Sequence, residues 1–128
     1  ANHAMDGFST YPFAVFNPEL IGAYAASIGN SRDTVIGNDV WLGFESVVMP
    51  GVRIGSGAII AARALVAGDV PDYAVVAGNP GRVIRRRFDD DVVERLLAAA
   101  WWDWDLERIA RHAEAITGAD IDALERGA

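Results

Sequence analysis

Between residues 35 and 70 the hydrophobic positions recur every six residues. Ile36, Leu42, Val48, Ile54, Ile60 and Val66 are aliphatic, and four residues after each stands a small or β-branched side chain: Val40, Ser46, Val52, Ala58, Ala64 and Val70. Gly37, Gly43 and Gly55 directly follow an aliphatic, and Ala61 and Ala67 hold the same slot. Helices repeat at about 3.6 residues and half-buried strands at about 2, so neither explains a period of six. A solenoid of short strands and tight turns does, with three hexads closing one coil. Each aliphatic then points inward and stacks on its equivalent one coil later: Ile36 on Ile54, Leu42 on Ile60, Val48 on Val66. The small residues sit near corners where backbones crowd. Glycine after the aliphatic suits the strand-to-turn transition through its tolerance of unusual backbone angles. Asn38-Asp39 and Ser56-Gly57 are expected as exposed turns.

The rest of the chain has other patterns. Residues 1–34 are aromatic-rich and irregular, and Ile28-Gly29 lies eight residues before Ile36-Gly37, so a loop breaks the register there. Residues 71–88 hold an apolar run from Ala74 to Ala77, then Gly78-Asn79-Pro80, then the basic Arg82, Arg85, Arg86 and Arg87. From residue 89 a helical pattern begins. Asp89, Asp90 and Asp91 suit a helix N-terminus, and Asp91 with Glu94 has capping-box spacing. Val92, Val93, Leu96, Leu97 and Ala100 form its apolar stripe. Trp101, Trp102 and Trp104 crowd a joint before a second helix carrying Leu106, Ile109, Ala113 and Ile116. His112 is expected on its solvated surface.

Composition narrows the classes. The chain has 128 residues, the size of one domain. No apolar run is long enough for a transmembrane helix, and no signal-peptide pattern opens it. Cysteine is absent, which excludes disulfides, cysteine metal sites and cysteine nucleophiles within this sequence and fits a cytoplasmic protein. The net charge of −7 argues against general nucleic-acid binding. A carbonic anhydrase on the same solenoid would need three histidines on zinc, whereas His3 and His112 are the two present. No metal is expected. The opening Ala1-Asn2-His3 lacks a methionine and reads as a fragment whose earlier coils are missing.

Several segments then occur together in order: Asn2-His3-Ala4-Met5-Asp6-Gly7, Ser9-Thr10-Tyr11-Pro12-Phe13, Ile36 to Gly43, Met49-Pro50-Gly51-Val52, Gly78-Asn79-Pro80, Arg87-Phe88-Asp89 and Trp101-Trp102-Asp103-Trp104. Over roughly positions 2 to 105 the chain resembles the xenobiotic acyltransferases of the hexapeptide-repeat superfamily. These include the streptogramin A (virginiamycin) acetyltransferases and the type B chloramphenicol acetyltransferases. The resemblance implies a mainly β fold: a left-handed parallel β-helix over 35–70 with a C-terminal α-helical segment over 89–128. Residues 1–34 would be an active-site and acceptor loop region continuing from missing N-terminal coils, and 71–88 a closing segment. It also implies a homotrimer, with acetyl-CoA in the cleft between subunits and direct acetyl transfer to a hydroxyl of a small, partly hydrophobic acceptor.

The implied site is assigned residue by residue. His3 matches the catalytic histidine and would be the general base. Trp41 occupies an outward slot, either packing on a neighbouring subunit or walling the active site. Gly43, Ala61 and Ala62 would lie along the pantetheine arm of the cofactor, and Gly78, Asn79 and Pro80 would face the cofactor cleft, with a cis peptide plausible before Pro80. Arg82 and Arg85 would meet CoA phosphates, although the arginine run could instead pair with Asp89 to Asp91. Tyr11, Pro12, Phe13 and Phe16 would line the acceptor pocket or anchor their loop. Asp6 would orient His3 or end a turn. After Phe16 the chain departs from the antibiotic-modifying members, with Asn17-Pro18-Glu19-Leu20 in place of a glycine-rich turn and a Trp-Glu pair. A sugar or other metabolite hydroxyl therefore stays open as acceptor, as does a non-catalytic trimeric solenoid.

Overall fold

A computed structural model describes residues 7–11, 13, 19 and 32–126. Six two-residue strands follow one another at six-residue spacing: β1 (Val35–Ile36), β2 (Trp41–Leu42), β3 (Val47–Val48), β4 (Arg53–Ile54), β5 (Ile59–Ile60) and β6 (Leu65–Val66). Each pairs in parallel with the strand 18 residues away, β1 with β4, β2 with β5 and β3 with β6. One coil is thus three hexads contributing one strand to each of three faces. The registers Ile36–Ile54, Leu42–Ile60 and Val48–Val66 are those expected from the hexads.

The interior is built as the pattern requires. Ile54, Ile60 and Val66 are buried, and so are the corner residues Val52, Ala58, Ala64 and Val70. Ile36 and Leu42 remain 45% and 43% exposed. Among the described residues, β1 and β2 each pair with a strand on one side only.

The glycine slot has a different cause from the one expected. Gly37, Gly43 and Gly55 are absent from the positive-φ residues. They are small because the next coil presses on them. A Cβ would stand 2.7 Å from Ser56 N at Gly37, 2.5 Å from Ala62 N at Gly43 and 2.5 Å from Asp72 N at Gly55. The left-handed conformation falls two residues later, at Asp39, Glu45, Gly51, Gly57 and Arg63. Coil closure holds this turn with or without glycine, and three of those five residues carry side chains.

Beyond β6 the chain closes the stack with a hairpin that the hexads do not predict. Strand β7 (Ala74–Ala77) runs parallel to β5, and β8 (Arg82–Arg86) returns antiparallel to β7. The loop between them stands in for a strand on the third face. Leu65 N donates to Gly78 O at 3.0 Å, and Gly81 N donates to Leu65 O at 2.8 Å. The Asn79–Pro80 peptide is cis.

The C-terminal part corrects three expectations. Helix α1 (Asp90–Ala99) takes Asp89 as its N-cap without a side-chain capping bond, so the Asp91–Glu94 box is not used. The expected single second helix is three short ones, α2 (Leu106–Arg111), α3 (Ala113–Gly118) and α4 (Ile121–Arg126). His112 forms the α2–α3 break; it is half-buried, its Nδ1–H donates to Arg108 O at 2.7 Å, and its ring lies 5.1 Å from that of Trp104. Ala119, with φ of 56°, ends α3. Arg95 on α1 binds Asp122 and Glu125 on α4 and closes the helical layer. No described helix is long and apolar enough to cross a membrane.

Candidate active site

The stack has three columns of turns, and they differ in what covers them. The first holds Asn38-Asp39, Ser56-Gly57 and Asp72-Tyr73, linked by Gly57 N to Asn38 O (2.7 Å) and Tyr73 N to Ser56 O (2.8 Å). The helices sit on this column. Arg87 donates to Gly57 O at 2.7 Å and lies 5.4 Å from the rings of Tyr73 and Phe88. Gly57 is therefore buried beneath Tyr73, contrary to the exposed turn expected there. A cavity of about 70 Å³ remains between Asp39, Tyr73 and the helices, walled by Leu96, Trp101 and Ile116. Burial pushes the Tyr73 hydroxyl up to about 12, with the carboxylate of Asp39 adding to the effect.

The second column is the one on which the expected cofactor residues meet. It contains Gly43-Phe44-Glu45 and Ala61-Ala62-Arg63, and the Gly78–Gly81 loop adjoins it on β6 through Leu65. Gly43 N donates to Ile60 O (2.7 Å), Arg63 N to Phe44 O (2.9 Å) and Ala61 N to Val76 O (2.8 Å). Ala62, Gly78, Asn79 and Pro80 are exposed, and Gly43 and Ala61 are half-buried. Trp41 opens the adjoining face, 67% exposed, at the end of a register row that continues through Ile59 and Val75 to Arg85.

The structure divides the arginine run. Arg86 lies 3.6 Å from Asp90, the ion pairing that competes with phosphate binding, and Arg87 is committed to the first column. Arg82 and Arg85 are exposed on β8. Each donates to an adjacent backbone carbonyl, Arg82 to Gly81 O at 3.2 Å and Arg85 to Arg86 O at 3.4 Å. These two guanidiniums are accessible to an anion.

Tyr11 and Phe13 are exposed and pack edge-to-face with ring centroids 4.7 Å apart. His3, Asp6, Pro12 and Phe16 lie outside the described residues. Among the described residues no group of three His, Cys, Asp or Glu side chains could hold a metal. Two residues of this surface were not singled out from sequence. Gly81 is required because a Cβ there would be 2.5 Å from Leu65 O; the glycine immediately after Gly78-Asn79-Pro80 was its available signal. Phe44 stands 73% exposed in a turn, and its departure from the polar or small residues of other turns was its signal.

Residues 33–68 match the bacterial transferase hexapeptide family, described by six repeats. The chain belongs to the hexapeptide-repeat acyltransferases. It is 46% identical over 126 residues to a chloramphenicol acetyltransferase of Agrobacterium fabrum (strain C58 / ATCC 33970), covering 97% of this chain and 60% of that protein. It is 46% identical over 128 residues to a virginiamycin A acetyltransferase of Staphylococcus aureus, covering 98% and 58%. The chain thus spans about three fifths of the length of these relatives. Among solved structures, a hexapeptide-repeat acetyltransferase from Vibrio cholerae O1 biovar eltor complexed with acetyl coenzyme A aligns with a TM-score of 0.49 and 30% identity, over 69% of this chain and 40% of that one.

Proposed function

We propose that the complete protein of this hexapeptide-repeat acyltransferase carries an acetyl group from acetyl-CoA to a hydroxyl of a small, partly hydrophobic acceptor of the streptogramin A or chloramphenicol kind. The coils form a left-handed parallel β-helix, and three subunits assemble with a cofactor cleft between neighbours. Arg82 and Arg85 meet the CoA phosphates. The pantetheine arm follows Gly43, Ala61 and Ala62 past Gly78, Asn79 and Pro80. Trp41 walls the thioester end, while Tyr11, Pro12, Phe13 and Phe16 face the acceptor.

The observation that carries this reading is the contrast between columns. The first is covered by helices, whereas the second has exposed small residues and backbone and leads to two accessible arginines. A narrow, flexible, phosphate-ended ligand suits such a surface.

The reaction needs one base. His3 takes the proton of the acceptor hydroxyl as its oxygen forms a bond to the thioester carbonyl carbon; imidazole titrates near pH 6.5, about right for this work. The resulting oxyanion is stabilised by a backbone N–H of a coil turn. The C–S bond then breaks, its electron pair leaves on sulfur, and the proton on His3 passes to the CoA thiolate. The products are an acetyl ester and free CoA, with no acyl-enzyme.

Thiol release by the complete protein tests this over streptogramin A, chloramphenicol and simple sugars. Acceptor-dependent release is expected, falling at least about a hundredfold in His3→Ala with subunit assembly retained. Unchanged turnover in that variant removes His3 from the mechanism. Absence of both release and CoA binding replaces the enzyme reading with a structural solenoid.

A further inference from the structure

We infer that Phe44 is the wall that limits the length of the transferred acyl group, an inference resting on the cofactor path proposed above. The position two after each inward aliphatic is occupied by Asn38, Phe44, Pro50, Ser56, Ala62 and Gly68. Five of these are small or turn-forming. Phe44 is neither, and it remains 73% exposed, so its ring does little for the core.

Its place along the column gives it a use. The β2–β5 register, continued two residues, aligns Phe44 with Ala62, and Arg63 N donates to Phe44 O at 2.9 Å; the loop from Gly78 follows on the next layer, bonded to Leu65. Successive layers stand about 4.8 Å apart, the spacing of paired strands. Ala62 and Gly78 present almost no side chain and leave a shallow trough. Phe44 rises at one end of it, flanked by the exposed Trp41. Arg85 stands at the opposite end of the row Trp41–Ile59–Val75–Arg85, about three strand spacings or roughly 14 Å away. A cofactor whose phosphates engage Arg82 and Arg85 brings its thioester toward Phe44. The acetyl methyl fits in front of the ring, and further carbons run into it. Apolar sites separate substrates differing by one methylene by roughly 10- to 200-fold, the scale such a wall can supply.

The test compares acetyl-, propionyl- and butyryl-CoA in thiol-release assays on the complete protein with one acceptor. Phe44→Ala is expected to raise the butyryl-to-acetyl ratio of kcat/KM at least about tenfold, with Phe44→Leu intermediate. The exposure of Phe44 makes both variants compatible with folding. Wild-type activity with an unchanged ratio in Phe44→Ala overturns the wall while leaving the cofactor path standing. Altered subunit assembly by light scattering, with the ratio unchanged, makes Phe44 an interface residue and also overturns it. A wild-type protein that releases no thiol from any acyl-CoA overturns the cofactor reading, and this inference with it.

Discussion

Replacing Gly43 with alanine tests how closely the coils are stacked. The new Cβ would lie 2.5 Å from Ala62 N, 2.6 Å from Ile60 O and 2.7 Å from Ala61 C. All three are backbone atoms, so no side chain can rotate away. Restoring ordinary contact, about 3.5 Å, requires the coils to separate locally by about 1 Å. Two hydrogen bonds cross that gap, Gly43 N to Ile60 O at 2.7 Å and Arg63 N to Phe44 O at 2.9 Å. Weakening both costs about 1 kcal/mol each. Overpacking adds about 1–3 kcal/mol, and the lower entropy of the unfolded alanine chain returns about 0.4–1 kcal/mol. The net loss is about 2–5 kcal/mol, or a fall in Tm of roughly 10–15 °C for a chain of this size. Urea and thermal unfolding followed by far-UV circular dichroism measure it. Gly68→Ala is the control, since a Cβ there meets nothing within 4 Å; it should stay within about 0.5 kcal/mol of wild type. A Gly43→Ala variant within about 1 kcal/mol of that control would refute the close-contact argument.

Two further outcomes concern the helical layer. Tyr73 ionises at about 12 in the folded chain against 10.0 for a free side chain, so above pH 10 the unfolded state loses its proton first. Stability should therefore decline from pH 10 toward 12, and Tyr73→Phe should remove this part of the decline in alkaline urea titrations; an identical decline in both proteins would contradict the assignment. Arg95 hydrogen-bonds to Asp122 and Glu125 and holds both carboxyls below their usual range. Their contribution is present above the ordinary carboxylate range and is lost as the pH falls through the lowered folded values. Arg95→Met should speed amide exchange at Leu124 at neutral pH and flatten its acid dependence, and wild-type exchange rates in the variant would show that α4 is held by packing alone.

The hexads determined a great deal by themselves. A period of six allows few architectures, and it specified which residues turn inward, which lie 18 apart in register and where the turns fall. The residues of the exposed column were legible through the resemblance, and the structure stacks Gly43 against Ala61 and Ala62, with the Gly78–Gly81 loop on the following strand through Leu65. Other features were decided in three dimensions. The left-handed turn residues include Asp39, Glu45 and Arg63 because ring closure of the coil outweighs residue preference. The four nearby arginines look alike in sequence. Only the placement of Gly57, Tyr73 and Asp90 commits Arg87 and Arg86 to the fold and leaves Arg82 and Arg85 accessible. The helix break at His112 likewise follows from its bond to Arg108 O and its contact with Trp104, which local propensity does not encode. Periodicity reports which way a side chain points relative to its own coil. Which turn column is covered depends on contacts between segments far apart in the chain, and those exist only once it has folded.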